Sequence, residues 1–222
     1  MAQPAPDFEL ARALMVDGQV RPNRVNDSRI LHAMRTLPRE RFVPPEQVPF
    51  AYIDEDLPLG GGRFLIKPMI IGRLLQLARP RAGENVLVVG AGTGYGAAIL
   101  AACGAKVTAL EEDDRLVAIG RQACAEFAPT VSFVSGPLSA GRAMFAPYDL
   151  VVIEGAVPAI PESIAAQVAR EGGRLVTVIE RPGTPGHAVL AEHSGTALRA
   201  QAEFDAMIPV LPSFVPAPAF IF

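Results

Sequence analysis

Eleven residues, Val86-Leu87-Val88-Val89-Gly90-Ala91-Gly92-Thr93-Gly94-Tyr95-Gly96, constrain this chain more than any others. Four consecutive aliphatic residues suit a strand buried on both faces. The glycines that follow permit a tight turn and leave backbone where a side chain would otherwise block a ligand. A buried strand that passes through such a turn into a helix is the opening unit of a parallel sheet wrapped by helices.

The surrounding pattern continues that unit. Apolar spacing predicts helices over 69–78, 95–103, 113–127 and 161–170, alternating with strands over 86–89, 106–110, 131–134, 149–153 and 173–179. This is the pattern of an α/β, doubly wound, mostly parallel sheet with right-handed crossovers, whose ligand sits beyond the carboxyl ends of the strands. Before it, helical spacing over 8–16 and 29–37, the second capped by Asn26 or Asp27 and stopped by Pro38, predicts an N-terminal helical addition. Residues 38–62 are rich in Pro and Gly and read as an irregular layer. The expected organisation is one domain over 1–222, with a helical and substrate-loop region at 1–68 and the α/β core at 69–222. The last twenty residues contain four prolines among many apolar side chains, which suggests an edge strand and a packed tail, or a homodimer contact through that apolar region.

Composition narrows the function classes. A chain of 222 residues, half of them hydrophobic, can bury one substantial core, and its formal net charge of −3 offers no broad cationic field for nucleic acid. No apolar stretch reaches membrane-spanning length without Gly, Pro or charge. Cys103 and Cys124 form no C-x-x-C pair, and His32, His187 and His193 stand at no metal-ligand spacing, so a cytoplasmic protein without a metal is expected.

Two cofactor classes use a glycine turn of this kind. A dinucleotide site starting at Gly90 would need glycine where Tyr95 stands, and starting at Gly92 it lies two residues beyond the strand. Glu111 ends the next strand, twenty-one positions after Gly90, and that places a carboxylate where it can accept both hydroxyls of a ribose. It favours an adenosine-containing ligand without choosing the cofactor. Glu154, at the carboxyl end of the 149–153 strand, faces the same cleft, whereas Asp149 enters from the opposite end and is read as structural.

Several segments, taken together and in order, then resemble a known family. MVDGQV at 15–20, DSRILHAMRTLPRERFVP at 27–44, AYIDEDLPLGGG at 51–62, VLVVGAGTGYGAAILA at 86–101, PYDLVVIEGAV at 147–157 and EGGRLVTVI at 171–179 look like protein-L-isoaspartate O-methyltransferase. The resemblance implies a class I methyltransferase core that uses S-adenosyl-L-methionine (AdoMet). The implied reaction is methyl transfer to the α-carboxylate of isoaspartyl residues in damaged protein, a step of protein repair. It also implies that Gly90, Ala91, Gly92, Thr93, Gly94 and Tyr95 surround the amino-acid part of AdoMet and that Glu111 holds its ribose. A carboxylate is itself an adequate nucleophile, so placement and charge balance would carry the catalysis.

This chain departs from the family pattern at the substrate. Members carry G-x-T-I-S-x-P, and here Gly62-Arg63-Phe64-Leu65-Ile66-Lys67-Pro68 has Phe64 and Ile66 in place of the two hydroxyl residues. Neither hydrocarbon can donate or accept a hydrogen bond, which leaves Arg63 and Lys67 to supply charge for the substrate, opposite Glu154. After the 131–134 strand, Ser135-Gly136-Pro137 lacks the acid that meets the adenine amino group in relatives, and Ser135 is the neutral substitute. Three further readings therefore stand beside repair methylation. One is a catalytically silent scaffold or interaction protein on the same fold, another a methyltransferase for a different anion, and the last an NAD-dependent oxidoreductase.

Overall fold

Val86–Val89 lie at the middle of a seven-stranded sheet in the computed structural model of the chain, which describes residues 6–194 and 197–215. The strands are β3 (Asn85–Val89), β4 (Lys106–Glu111), β5 (Ser132–Ser135), β6 (Leu150–Val157), β7 (Arg174–Ile179), β8 (His187–Ser194) and β9 (Ala197–Asp205). Their order is β5-β4-β3-β6-β7-β8-β9, so the strand order reverses beside β3, between β4 and β6. Strands β5 to β7 across the centre are parallel, in agreement with their contiguous apolar runs. The last two are antiparallel neighbours, β8 on β7 and β9 on β8. This hairpin was not placed from the sequence: Leu198, Ala200, Ala202 and Phe204 alternate with polar residues in ALRAQAEFD, but two of the four are alanines and the strand is mostly exposed, so the period is a weak signal.

The two faces of the sheet are covered differently. Val86, Val88, Ala109, Val152 and Val176 share one apolar cluster with residues of α2 (Ser28–Thr36), α3 (Pro68–Ala78), α4 (Tyr95–Ala102) and α5 (Asp114–Phe127). Met15, at the end of α1 (Phe8–Met15), and Val16 and Val20 of the π-helical turn after it belong to that cluster too. Leu87, Val89, Val151, Ile153 and Leu175 point to the other face, where the cover is α6 (Glu162–Ala165), irregular chain near Leu138 and Tyr148, and Leu211 from the C-terminal segment. Helix α6 has four residues, a correction to the helix expected over 161–170. The chain leaves the helix because Gln167 and Ala169 pair with Tyr148: the Tyr148 N–H donates to Gln167 and the Ala169 N–H to Tyr148, both at 2.8 Å.

Residues 57–65 also differ from the irregular layer expected there. Strands β1 (Leu57–Gly60) and β2 (Arg63–Leu65) form a small antiparallel hairpin that turns through Gly61 and Gly62, both left-handed. Among the described residues, no helix is long and apolar enough to cross a membrane, and no group of three His, Cys, Asp or Glu is placed to hold a metal. Of the Pro-rich tail, residues 203–215 finish β9 and pack Ile208 and Leu211 into the body of the chain, and residues 216–222, with the rest of the expected dimer contact, lie outside the described part.

The N-terminus of α5 matters for the cleft because it follows Glu111 directly. Asp113 caps it, accepting from the Arg115 N–H at 2.9 Å and the Leu116 N–H at 3.4 Å. Asp113→Ala is expected to cost about 1 kcal/mol, with Asp113→Asn retaining most of the cap. Urea midpoints of the three proteins check this.

Candidate functional site: a glycine-lined cleft closed by Arg63 and Leu211

The glycine turn adopts the geometry its sequence demands. Gly90, Gly92 and Gly94 have φ of 72°, 56° and 90°, and Gly94 is the N-cap of α4. The Gly90 and Ala91 N–H groups donate to Leu110 at 2.9 and 3.0 Å, tying the turn to the end of β4. A Cβ on Gly94 would stand 2.7 Å from the Phe133 ring, so backbone conformation and packing both require glycine there. Thr93 is buried, and its hydroxyl donates to the Phe42 carbonyl; Ala91 and Tyr95 are buried as well.

Glu111 arrives beside this turn, as the doubly wound arrangement requires, but most of its acceptor positions are taken. Its Oε1 receives Arg63 Nη1 at 2.6 Å and the N–H groups of Glu112 and Asp113 at 2.9 and 3.2 Å; its Oε2 receives the Gly92 N–H at 2.7 Å. With about two lone-pair sites per oxygen, Oε1 is filled by its three donors, whereas Oε2 keeps one site, which the burial of Glu111 shuts off from solvent. Arg63 Nη2 also donates to the Gly90 carbonyl at 2.9 Å, so its guanidinium bridges the carboxyl ends of β3 and β4. The pair is sealed from water, with side chains 4 % and 0 % exposed.

A second side chain closes the cleft from the far end of the sequence. Residues 209–211 run beside the end of β6: the Ala156 N–H donates to Pro209 at 3.0 Å and the Leu211 N–H to Ala156 at 2.9 Å. This seats Leu211 against the bare faces of Gly90 and Gly155; a Cβ on Gly90 would meet Leu211 methyls at 3.2 and 3.3 Å, and one on Gly155 would overlap Leu211. Leu59 of β1 stands similarly over Gly92. The free volume left among Arg63, Phe64, Ile66, Glu154 and Leu211 is about 10 Å³, room for at most one water. With Leu211 over Gly90, Leu59 over Gly92 and Arg63 on Glu111, the residues around the glycine turn do not fit AdoMet.

Glu154 lines the same space from β6. Its carboxyl packs on Gly96 in the first turn of α4, and its Oε1 is buried without a hydrogen-bond partner. Burial pushes its pKa up to about 8, with Arg63 and then Arg39 pulling down and Glu111 pushing up. Two more unpartnered atoms, Arg39 Nη1 and the Tyr95 hydroxyl, are buried on the adjoining side, where the Arg39 guanidinium lies over the Tyr95 ring. Burial also raises the Tyr95 phenol to about 12.

The other expected site residues are placed apart. Lys67 does not join the cleft: its backbone N–H donates to Asp56 at 2.8 Å and its amine sits 3.8 Å from the same carboxylate. This corrects its pairing with Arg63, and the reason is that Lys67 caps α3 while Arg63 belongs to β2. Ser135 lies at the end of β5, where its hydroxyl donates to Asp114 at 2.7 Å. An acid therefore does stand beside the end of β5, supplied from the start of α5 instead of from the strand's own loop. Asp149 is structural, accepting from the Asn85 N–H at 2.8 Å. Leu211, Leu59, Arg39 and Asp114 were not singled out from the sequence. Leu211 lies more than a hundred residues from the turn it covers, and no local pattern marks it.

Comparison with known proteins agrees with this frame. Residues 12–210 match the family model described as Protein-L-isoaspartate(D-aspartate) O-methyltransferase (PCMT). The chain is 36 % identical over 205 residues to a protein-L-isoaspartate O-methyltransferase of Koribacter versatilis, covering 92 % of each chain. It is 38 % identical over 182 residues to that of Methylorubrum extorquens, covering 82 % of this chain and 79 % of that one. Among solved structures, a protein-L-isoaspartate O-methyltransferase superposes with a TM-score of 0.77 at 22 % identity, over 92 % of this chain and 65 % of the other. A Plasmodium falciparum chain assigned to the same enzyme class, solved with S-adenosyl-L-homocysteine, gives 0.76 at 15 % identity, over 94 % of this chain and all of the other. These two likenesses establish a Rossmann-like methyltransferase fold with N-terminal helices. Together with the family match and the curated relatives, they show that this chain belongs to the protein-L-isoaspartate O-methyltransferase family.

Proposed function

We propose that this protein is an AdoMet-dependent carboxyl O-methyltransferase acting on the α-carboxylate of L-isoaspartyl residues in damaged proteins, from an open form of its cleft. The observation that carries this reading is the left-handed turn Gly90–Gly94 between β3 and α4, facing Glu111 at the end of β4. That arrangement places bare backbone, a helix N-terminus and a carboxylate around one point at the change in strand order. The family match over residues 12–210 supports the donor and the substrate class.

A second reading is favoured by two observations of its own. Phe64 and Ile66 stand where family members carry hydroxyls, and Arg63 holds Glu111 in a buried ion pair. Both would suit a catalytically silent member that keeps the scaffold. Titration of the purified chain with AdoMet, followed by transfer of a labelled methyl group to an isoaspartyl peptide, separates the two. Saturable binding with transfer is the expected result. Binding without transfer to that peptide rejects the substrate and directs attention to another anion, and absence of binding favours the silent scaffold.

A further inference from the structure

We propose that Arg63 and Leu211 form an internal plug that occupies the donor's place and competes with it, so that the donor enters only when the C-terminal strap, residues 206–215, lifts. The inference rests on the donor reading above, and it reconciles a preserved glycine turn with a cleft that has no room.

Three features of the plug support competition over simple loss. First, the guanidinium makes the contacts of a ligand: it bridges Glu111 on β4 and the Gly90 carbonyl on β3, two groups that line a nucleoside site in this kind of sheet. Second, the two parts meet on one residue. A Cβ built on Gly90 finds Arg63 Nη2 and a Leu211 methyl each at 3.2 Å, and Pro212 of the strap stands 3.0 Å from one built on Gly62, next to Arg63 in sequence. Lifting the strap therefore uncovers Arg63 as well. Third, the backbone attachment of the strap is short: the Ala206 N–H donates to Gly186 at 2.9 Å and residues 209–211 hold the sheet through two bonds at Ala156, so what seats the strap is mainly the burial of Ala206, Ile208 and Leu211. Arg63 rides on a hairpin of four and three residues that docks through Leu57, Leu59 and Leu65.

A closed population of this kind weakens apparent affinity by the fraction of open molecules. Removing either part of the plug should thus tighten donor binding. Leu211→Ala vacates the space over Gly90 and leaves no buried charge behind. Arg63→Gln frees Glu111 while keeping a polar group beside it.

The test is calorimetric titration of the full chain, as wild type, Leu211→Ala and Arg63→Gln, with AdoMet and with S-adenosyl-L-homocysteine, after far-ultraviolet circular dichroism confirms folding. Tightening of about tenfold or more in each variant is expected. Wild-type binding as tight as that of the variants would overturn the plug while leaving the methyltransferase reading in place. A Leu211→Ala protein that gains binding yet transfers no methyl group to an isoaspartyl peptide would keep the plug and reject the substrate. Absence of binding in all three proteins would overturn both. Should Arg63→Gln fail to fold, Leu211→Ala alone decides.

Discussion

Glu154→Gln is expected to stabilise the protein at neutral and alkaline pH by an amount that grows between pH 5 and 8. The carboxyl of Glu154 is buried beside Gly96, Arg63, Glu111 and Arg39, and burial raises its pKa from about 4.5 to about 8. In the unfolded chain the group ionises near the lower value, so between the two the folded protein retains a proton that the unfolded chain has released. Stability then falls as pH rises through that window, by about 1.4 kcal/mol per unit, and levels off above pH 8. Glutamine carries no proton to lose and resembles the neutral carboxyl in size. The variant should match wild type at pH 4 and exceed it by roughly 3 kcal/mol at pH 7, an order-of-magnitude figure. Urea midpoints at pH 4, 5.5, 7 and 8.5 read it out. Parallel pH profiles for the two proteins would show that Glu154 is ionised throughout, held by Arg63.

The sheet and most of its helices were legible because each obeys a local rule. Val86–Val89 and Leu150–Ile153 are contiguous apolar runs with parallel partners on both sides, and Leu116, Val117, Gly120, Ala123 and Cys124 of α5 face the core at helical intervals. The positions that escaped depend on long-range pairing. Helix α6 stops early because Tyr148, some twenty residues upstream, captures the backbone at Gln167 and Ala169. Lys67 and Arg63 are four residues apart, yet one belongs to a helix cap and the other to a strand. At the cleft, the glycine turn, Glu111 and Glu154 could all be placed from strand ends. Their occupancy could not, since it depends on Arg63 reaching across from the hairpin and on Leu211 returning from the C-terminal segment. Sequence thus located a cleft, and tertiary packing decided what fills it.

Gly96 supplies the sharpest test of that packing. A methyl group there would overlap Glu154 Oε1, and Gly96 itself has ordinary helical geometry, so the demand for glycine comes from the neighbouring carboxyl alone. Gly96→Ala should therefore destabilise the protein by about 1–3 kcal/mol, the usual cost of overpacking a filled interior, although alanine is the better helix former. Adding Glu154→Ala removes the obstacle. The double variant should recover most of the loss, giving a coupling energy well outside the few tenths of a kcal/mol expected for independent sites. Additive effects in the cycle would mean that Glu154 leaves the cleft readily in solution, and Arg63 would then have no acidic neighbour but Glu111 at the mouth of the donor site.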